Sequence, residues 1–145
     1  MKRGLTEVQS RLKFYRKLYL IYPGNKEPIG MVEGFQEFCA EIKFPSEVIH
    51  SVEENHIQKG AVFVIPNDDH LVEVIEIAKR NNLEIGKHIG IISYNDIPLK
   101  KVIENGITTI STDFYQMGKT MGRMVLSGKK QRLENPSRIV LRQSL

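Results

Sequence analysis

The stretch Ala61-Val-Phe-Val-Ile-Pro-Asn-Asp-Asp-His-Leu-Val-Glu-Val-Ile-Glu-Ile-Ala78 carries the reading of the whole chain. Ala61-Val-Phe-Val-Ile65 is a continuous β-branched and aromatic run, the pattern of a strand buried on both faces. Pro66-Asn67-Asp68-Asp69 breaks it with turn and capping residues, and Leu71, Val74, Ile75 and Ala78 then recur at helical spacing. A buried strand that turns directly into an amphipathic helix is half of a parallel crossover.

Working outward, the same alternation repeats. Leu18-Tyr-Leu-Ile-Tyr22 reads as a strand closed by the turn Pro23-Gly24-Asn25, and Met31, Phe35, Phe38 and Ile42 mark a helix from about Ile29, ended by Pro45. Val48 to Val52 is a short strand candidate, followed by a polar helical stretch to Lys59 and a Gly60 C-cap. Downstream, His88 to Tyr94 is a strand, Asn95-Asp96-Ile97-Pro98 opens a short helix to Asn105-Gly106, and Ile107 to Ser111 is the next strand. Thr112 or Asp113 caps a helix with Met117, Met121, Met124 and Val125 as its inner stripe, ended by Ser127-Gly128; Ser137 to Arg142 forms a last alternating strand. At the other end, Leu5, Val8, Leu12 and Tyr15, with a Thr6/Gln9 capping box, predict a helix over about 6–16. The expected fold is α/β in three layers, a mostly parallel sheet with helices on both faces.

Composition narrows the function. With 41% hydrophobic and 26% charged residues in 145, the chain has the makeup of one folded domain rather than a disordered segment. Its apolar runs are far shorter than the roughly 18 residues of a membrane span, and Met1-Lys-Arg-Gly-Leu-Thr-Glu7 lacks the apolar centre of a secretory signal. No membrane partner and a cytoplasmic location are expected. Cys39 is the single cysteine, so no internal disulfide forms. It sits on a helical stripe, where a free thiol acts as a small hydrophobe. The net charge of +4 comes from clusters at the two ends, Lys2 to Lys17 and Lys129 to Arg142, which read as solvated faces rather than a nucleic-acid surface.

Ligands of open parallel sheets bind beyond the carboxyl ends of the strands. That rule selects Tyr22, Asn67, Asp68, Asn95, Asp96, Thr112 and Phe114, together with Asp69 and Asp113. Amides and carboxylates that pair with neighbouring hydroxyls, beside aromatic rings that cover a sugar face, suit a polyhydroxylated ligand. Asp68 and Asp69 are equally suited to serve only the helix N-terminus. Phosphate-loop, dinucleotide and nucleophile-elbow motifs are absent, and His50, His56, His70 and His88 lack metal-ligand spacing. No catalytic residue, metal or cofactor is expected. A phosphate-accepting signalling domain fails on order, because the acidic pair follows Ile65 rather than the first strand.

Phe63-Val-Ile-Pro-Asn-Asp-Asp69, Gly90-Ile-Ile-Ser-Tyr-Asn-Asp96, Thr108-Thr-Ile-Ser-Thr-Asp-Phe114, Met117-Gly118 and, upstream, Gly34-Phe35 occur in an order that resembles the effector-binding domain of lactose-repressor-type transcription regulators. Those domains share the two-lobed type I periplasmic sugar-binding fold. The segments Glu84 to Asn95 and Asn135 to Ser144 look most like sensors joined to a GntR-type winged helix. The resemblance implies that Asn67 and Asn95 bond effector hydroxyls, that Thr112 and Phe114 line the pocket, and that Asp96 braces its loop. Asn95 stands where the family carries an aspartate, Met31 where it carries a ligand-gripping arginine, and tryptophan is absent.

The implied organisation is a first-lobe helix over 1–16, an effector-binding C-terminal lobe over 17–111, a crossing segment and first-lobe helix over 112–130, and a return strand over 131–145. DNA would then be reached only through a module this chain lacks. Leu5, Val8, Leu12, Met117, Met121 and Met124 would be bare, favouring a homodimer or a swapped arrangement. The implied function is sensing of a sugar-like small molecule. A transport-type sugar-binding protein and a small α/β enzyme using Asp68, Asp69 and Asp96 are the alternatives.

Overall fold

In a computed structural model the chain is described over residues 1–24, 26–128 and 130–145; Asn25 of the expected turn and Lys129 of the basic tail lie outside them. Two short helices, α1 (Lys2–Glu7) and α2 (Gln9–Leu12), precede strand β1 (Lys17–Ile21) and helix α3 (Gly30–Ile42). There follow β2 (Ser46–Ile49), β3 (Ala61–Ile65), α4 (Asp68–Arg80), β4 (Gly90–Tyr94), β5 (Thr108–Thr112), α5 (Phe114–Ser127) and β6 (Ser137–Val140). Among the described residues the strands form one sheet in the order β2-β1-β3-β4-β5-β6. The first five run parallel and β6 lies antiparallel on β5, Ile110 opposite Ile139.

Alternation within the strands divides the core. Tyr19, Ile21, Phe63, Ile65 and Ile91 face Leu71, Val74, Ile77 and Ala78 of α4. Leu18, Leu20, Val62, Val64 and Ile92 face α3 through Phe35 and Phe38. Successive side chains of a strand point to opposite faces, so each strand needs apolar residues throughout to be covered on both. All five residues of β3 are buried, which is why the Ala61–Ile65 run is continuous. The Cys39 thiol is buried in the α3 layer, and loss of solvent pushes its pKa up.

The N-terminal helix departs from expectation. It begins at Lys2, breaks at Val8 and ends at Leu12. Thr6 is inside it, its hydroxyl donating to the Lys2 carbonyl at 3.0 Å instead of capping. Nor is its stripe bare, because Leu5, Val8 and Leu12 are at most 1% exposed in the α3 layer. Gly4 permits that docking, since a Cβ there would stand 2.9 Å from Ile110 Cδ1.

The expected helix after Pro98 is instead a pair of 3₁₀ turns, Pro98–Lys101 and Ile103–Asn105. The polar stretch before Lys59 contains one such turn, Glu54–His56. The methionine stripe of α5 is not internal: none of the helix's described residues is buried, Met121 is 58% exposed and Val125 78%. The final residues contribute what their polarity concealed. Ser144 is fully buried between β4 and β5, its Oγ donating to the Ile91 carbonyl at 2.7 Å and accepting from the Thr108 amide at 2.8 Å.

Candidate functional site

Because β2 lies outside β1 while β3 lies inside it, the crossovers leave β1 and β3 in opposite directions, and the carboxyl ends of the sheet open between them. Tyr22 leaves β1 at this mouth. Its hydroxyl donates to the Glu27 carbonyl at 2.9 Å, and its own carbonyl accepts from His50 Nδ1 at 3.0 Å.

Asn67 and Asn95 follow adjacent strands. Ile65 is paired with Ser93, so each asparagine comes two residues past a matched position. Asn67 caps α4: its side-chain oxygen accepts from the Asp69 amide at 2.7 Å, leaving the side-chain NH₂ to donate elsewhere. Asn67 is thus the cap, while Asp68 and Asp69 occupy the first turn of α4, where negative charge suits the helix dipole. Asp68 also reaches Lys100, with Oδ1 2.7 Å from Nζ.

Asn95 is exposed and left-handed, at φ +59°, a conformation asparagine tolerates better than most residues. Its amide donates to the Ile110 carbonyl at 2.9 Å. The adjoining Asp96 is tied down on both oxygens. Arg142 approaches Oδ1 through Nη1 at 2.7 Å and donates to Oδ2 through Nη2 at 2.9 Å, while the Thr109 hydroxyl donates to Oδ1 at 3.3 Å. Hydrogen bonding and charge from Arg142 hold this carboxyl below its ordinary pKa against the opposing effect of desolvation. Asp96 thus braces the loop that presents Asn95.

Thr112 ends β5 and lines a cavity of about 290 Å³ with Pro28, Met31, Tyr94, Ile110, Asn135 and Ser137 among its walls. Burial alone pushes the Tyr94 hydroxyl up to about 12, so it is neutral at physiological pH. Phe114 opens α5 half-exposed, and Asp113 caps that helix by accepting from the Gln116 amide at 2.9 Å. The structure therefore brings Met31 and Thr112 into one cavity, and places Tyr22, Asn67 and Asn95 on the loops at the same end of the sheet. A larger concavity of about 620 Å³ lies away from these groups, between the end of α5 and Gln131–Arg132.

The sequence places Tyr94 on one of the strand-end loops, but it does not single out Lys100, Asn135 or Ser137. Tyr94 lies within the quoted Ser-Tyr-Asn motif; Lys100 resembles any solvated lysine. Among the described residues no three His, Cys, Asp or Glu side chains are grouped closely enough to hold a metal ion. No helix among them is long and apolar enough to cross a membrane.

An open α/β sheet with polar loops and a cavity beyond its strand ends is the architecture in which proteins of this fold class place their ligand sites. The chain belongs to the periplasmic binding protein-like domain family, whose model matches residues 13–145. It is 31% identical over 94 residues to the HTH-type transcriptional regulator KdgR of Bacillus subtilis, a match covering 61% of this chain and 27% of that protein. Among solved structures it is similar to the probable maltose operon transcriptional repressor malR of Staphylococcus aureus, with a TM-score of 0.75 at 13% identity, covering 98% of this chain and 58% of that one. A LacI family transcriptional regulator from Bifidobacterium animalis gives a TM-score of 0.79 at 13% identity, with 99% and 60% covered. The Lac repressor bound to ONPG gives 0.72 at 16%, with 99% and 49% covered. At these identities the likeness is one of fold. The chain spans a little over a quarter of its curated relative and about half to three fifths of these structures.

Proposed function

We propose that this chain is the effector-sensing part of a cytoplasmic transcription regulator, binding a sugar or sugar-like small molecule and reaching DNA through a separate winged-helix or helix-turn-helix module. The observation that carries the reading is the placement of Asn67, Asn95 and Thr112, each with hydrogen-bonding side-chain groups, at the carboxyl ends of β3, β4 and β5, in a fold shared with transcriptional repressors. A ligand touching these loops and the segment beyond Thr112 would bias the relation between lobes, and so the DNA-binding state. Of the three carboxylates considered for acid–base work, Asp68 is paired with Lys100 and Asp96 with Arg142, which favours binding over catalysis.

Titrating the ¹⁵N-labelled chain with D-glucose, D-galactose, D-ribose and D-glucose 6-phosphate tests it. Saturable shifts centred on Asn67, Asn95 and Phe114 are expected for at least one sugar. Spectra unmoved by all of them, both here and in a longer chain carrying the other lobe, overturn the reading.

Association of copies belongs to the same proposal. Met121, Val125 and Leu126 are 58%, 78% and 90% exposed along α5, an apolar stripe that favours self-association in water. Sedimentation equilibrium should give a dimer, dissociating when Val125 and Leu126 are both changed to Ser; a monomer at all concentrations counts against it.

A further inference from the structure

Lys100 is 2% exposed, although lysine is among the residues least often buried. Its Nζ lies 2.7 Å from Asp68 Oδ1 and donates to the carbonyl oxygens of Tyr94 at 2.5 Å and Asn95 at 3.3 Å. An ammonium has three protons to donate, so these acceptors satisfy it completely and none remains for a ligand. The acceptors lie where two strand-end loops meet regular structure, Asp68 at the first residue of α4 after β3 and Tyr94–Asn95 at the end of β4. These loops also carry Asn67 and Asn95.

A packed apolar residue would generally serve the interior as well as a buried ion pair, or better, because desolvating the charges offsets their attraction. What the ammonium adds is direction. It turns the carbonyls on either side of the left-handed Asn95 inward, and it holds one oxygen of an Asp68 side chain that is otherwise 57% exposed. The second carboxylate oxygen is left for a hydroxyl at the mouth.

We propose that Lys100 is a positioning residue of the effector site, joining the Asn67–Asp68 loop to the Tyr94–Asn95 loop and setting the separation at which both present their polar groups to a polyhydroxylated ligand. The effector role rests on the function proposed above; the joining of the loops does not.

The test separates the two. In Lys100→Met, hydrogen exchange of the Asp69, Asn95 and Asp96 amides should accelerate at least tenfold. These amides bond to Asn67 Oδ1, Ile110 O and Ser111 Oγ at 2.7, 2.9 and 3.0 Å. The Leu20 and Val64 amides, in the parallel core, should retain their wild-type rates. Unchanged mouth amides, or a uniform loss of protection everywhere, would overturn the proposal. Asp68→Asn, at the exposed end of the pair, gives the same readout should Lys100→Met not fold. For any sugar that saturates the wild type, Lys100→Met should raise Kd at least tenfold, and an unchanged Kd overturns the positioning role. If no sugar binds the wild type, either as this chain or as a longer chain carrying the other lobe, while the mouth amides still accelerate, the loop-joining role stands and the sugar-sensing reading fails.

Discussion

Arg142→Ala should cost the fold about 3 kcal/mol at neutral pH, the scale expected when one member of a buried ion pair is removed. The guanidinium holds both oxygens of Asp96 and donates from Nη1 to the Ile107 carbonyl at 2.7 Å, with the two side chains only 15% and 18% exposed. Truncation leaves a partly buried carboxylate with the Thr109 hydroxyl as its remaining side-chain donor among the described residues. The urea midpoint should fall by about 1–2 M with an unchanged m-value.

The loss is also pH-dependent, with a definite sign. Asp96 has its pKa lowered in the folded chain, chiefly by the hydrogen bond from Arg142. Near and below the ordinary aspartate value of about 3.9 the unfolded state binds more protons than the folded one, so stability rises with pH there. The contribution is complete above that value and is lost as pH falls through the lowered folded pKa. In Arg142→Ala the group lacks its stabilising partner, and protonation relieves an unpaired buried charge. The difference between wild type and variant should therefore be largest at pH 7 and shrink below pH ~4. An equal deficit at pH 7 and pH 3 would show that the ion pair is not the source.

Gly86→Ala should be comparably severe, at roughly 3 kcal/mol or more, although it adds one methyl group near the surface. Gly86 has φ +85°, where a side chain is strained, and a Cβ built there would stand 1.9 Å from the Gln143 carbonyl oxygen and 3.0 Å from its carbon. Backbone cannot swing aside as a flexible side chain can, so residues 143–145 must lift. Their departure exposes Leu145, now 6% exposed, and breaks the Ser144 bonds to Ile91 and Thr108. Each buried group left unpaired costs about 1–3 kcal/mol. Urea unfolding and exchange of the Thr108 amide would register the change. Gly118→Ala is the control: nothing lies within 4 Å of a Cβ there, and alanine in a helix is favoured over glycine by roughly 0.5–1 kcal/mol. A Gly86→Ala chain within 1 kcal/mol of wild type would mean the C-terminal residues are not held as described.

The parallel α/β frame was legible in the sequence because it is written in short periods. Ala61–Ile65 and Leu18–Ile21 are apolar throughout since both their faces are covered, and Leu71, Val74 and Ala78 recur every three or four residues since one face of α4 is. Once the strands were known to run parallel, their carboxyl ends followed, and with them Tyr22, Asn67, Asn95 and Thr112 as the groups around the mouth. Two similar apolar stripes at the ends of the chain nevertheless met different fates. Leu5, Val8 and Leu12 found cover in their own sheet, whereas the α5 stripe found none among the described residues. A stripe specifies that a partner is needed, not where the chain supplies one.

Only the tertiary structure decided which polar groups meet. Asp96 and Arg142 are 46 residues apart, and neither residue type identifies the other as its partner. Lys100 reads as an ordinary surface lysine until the 3₁₀ turn at Pro98–Lys101 carries it beneath two loops, and Ser144 reads as a polar tail until it fills the gap between β4 and β5. The direction of β6 likewise follows from a packing choice that alternation cannot express. Periodicity records whether a face is covered, because burial acts on each residue where it stands. Long-range pairing depends on how the crossovers bring distant loops together, and that information exists only once the chain has closed on itself.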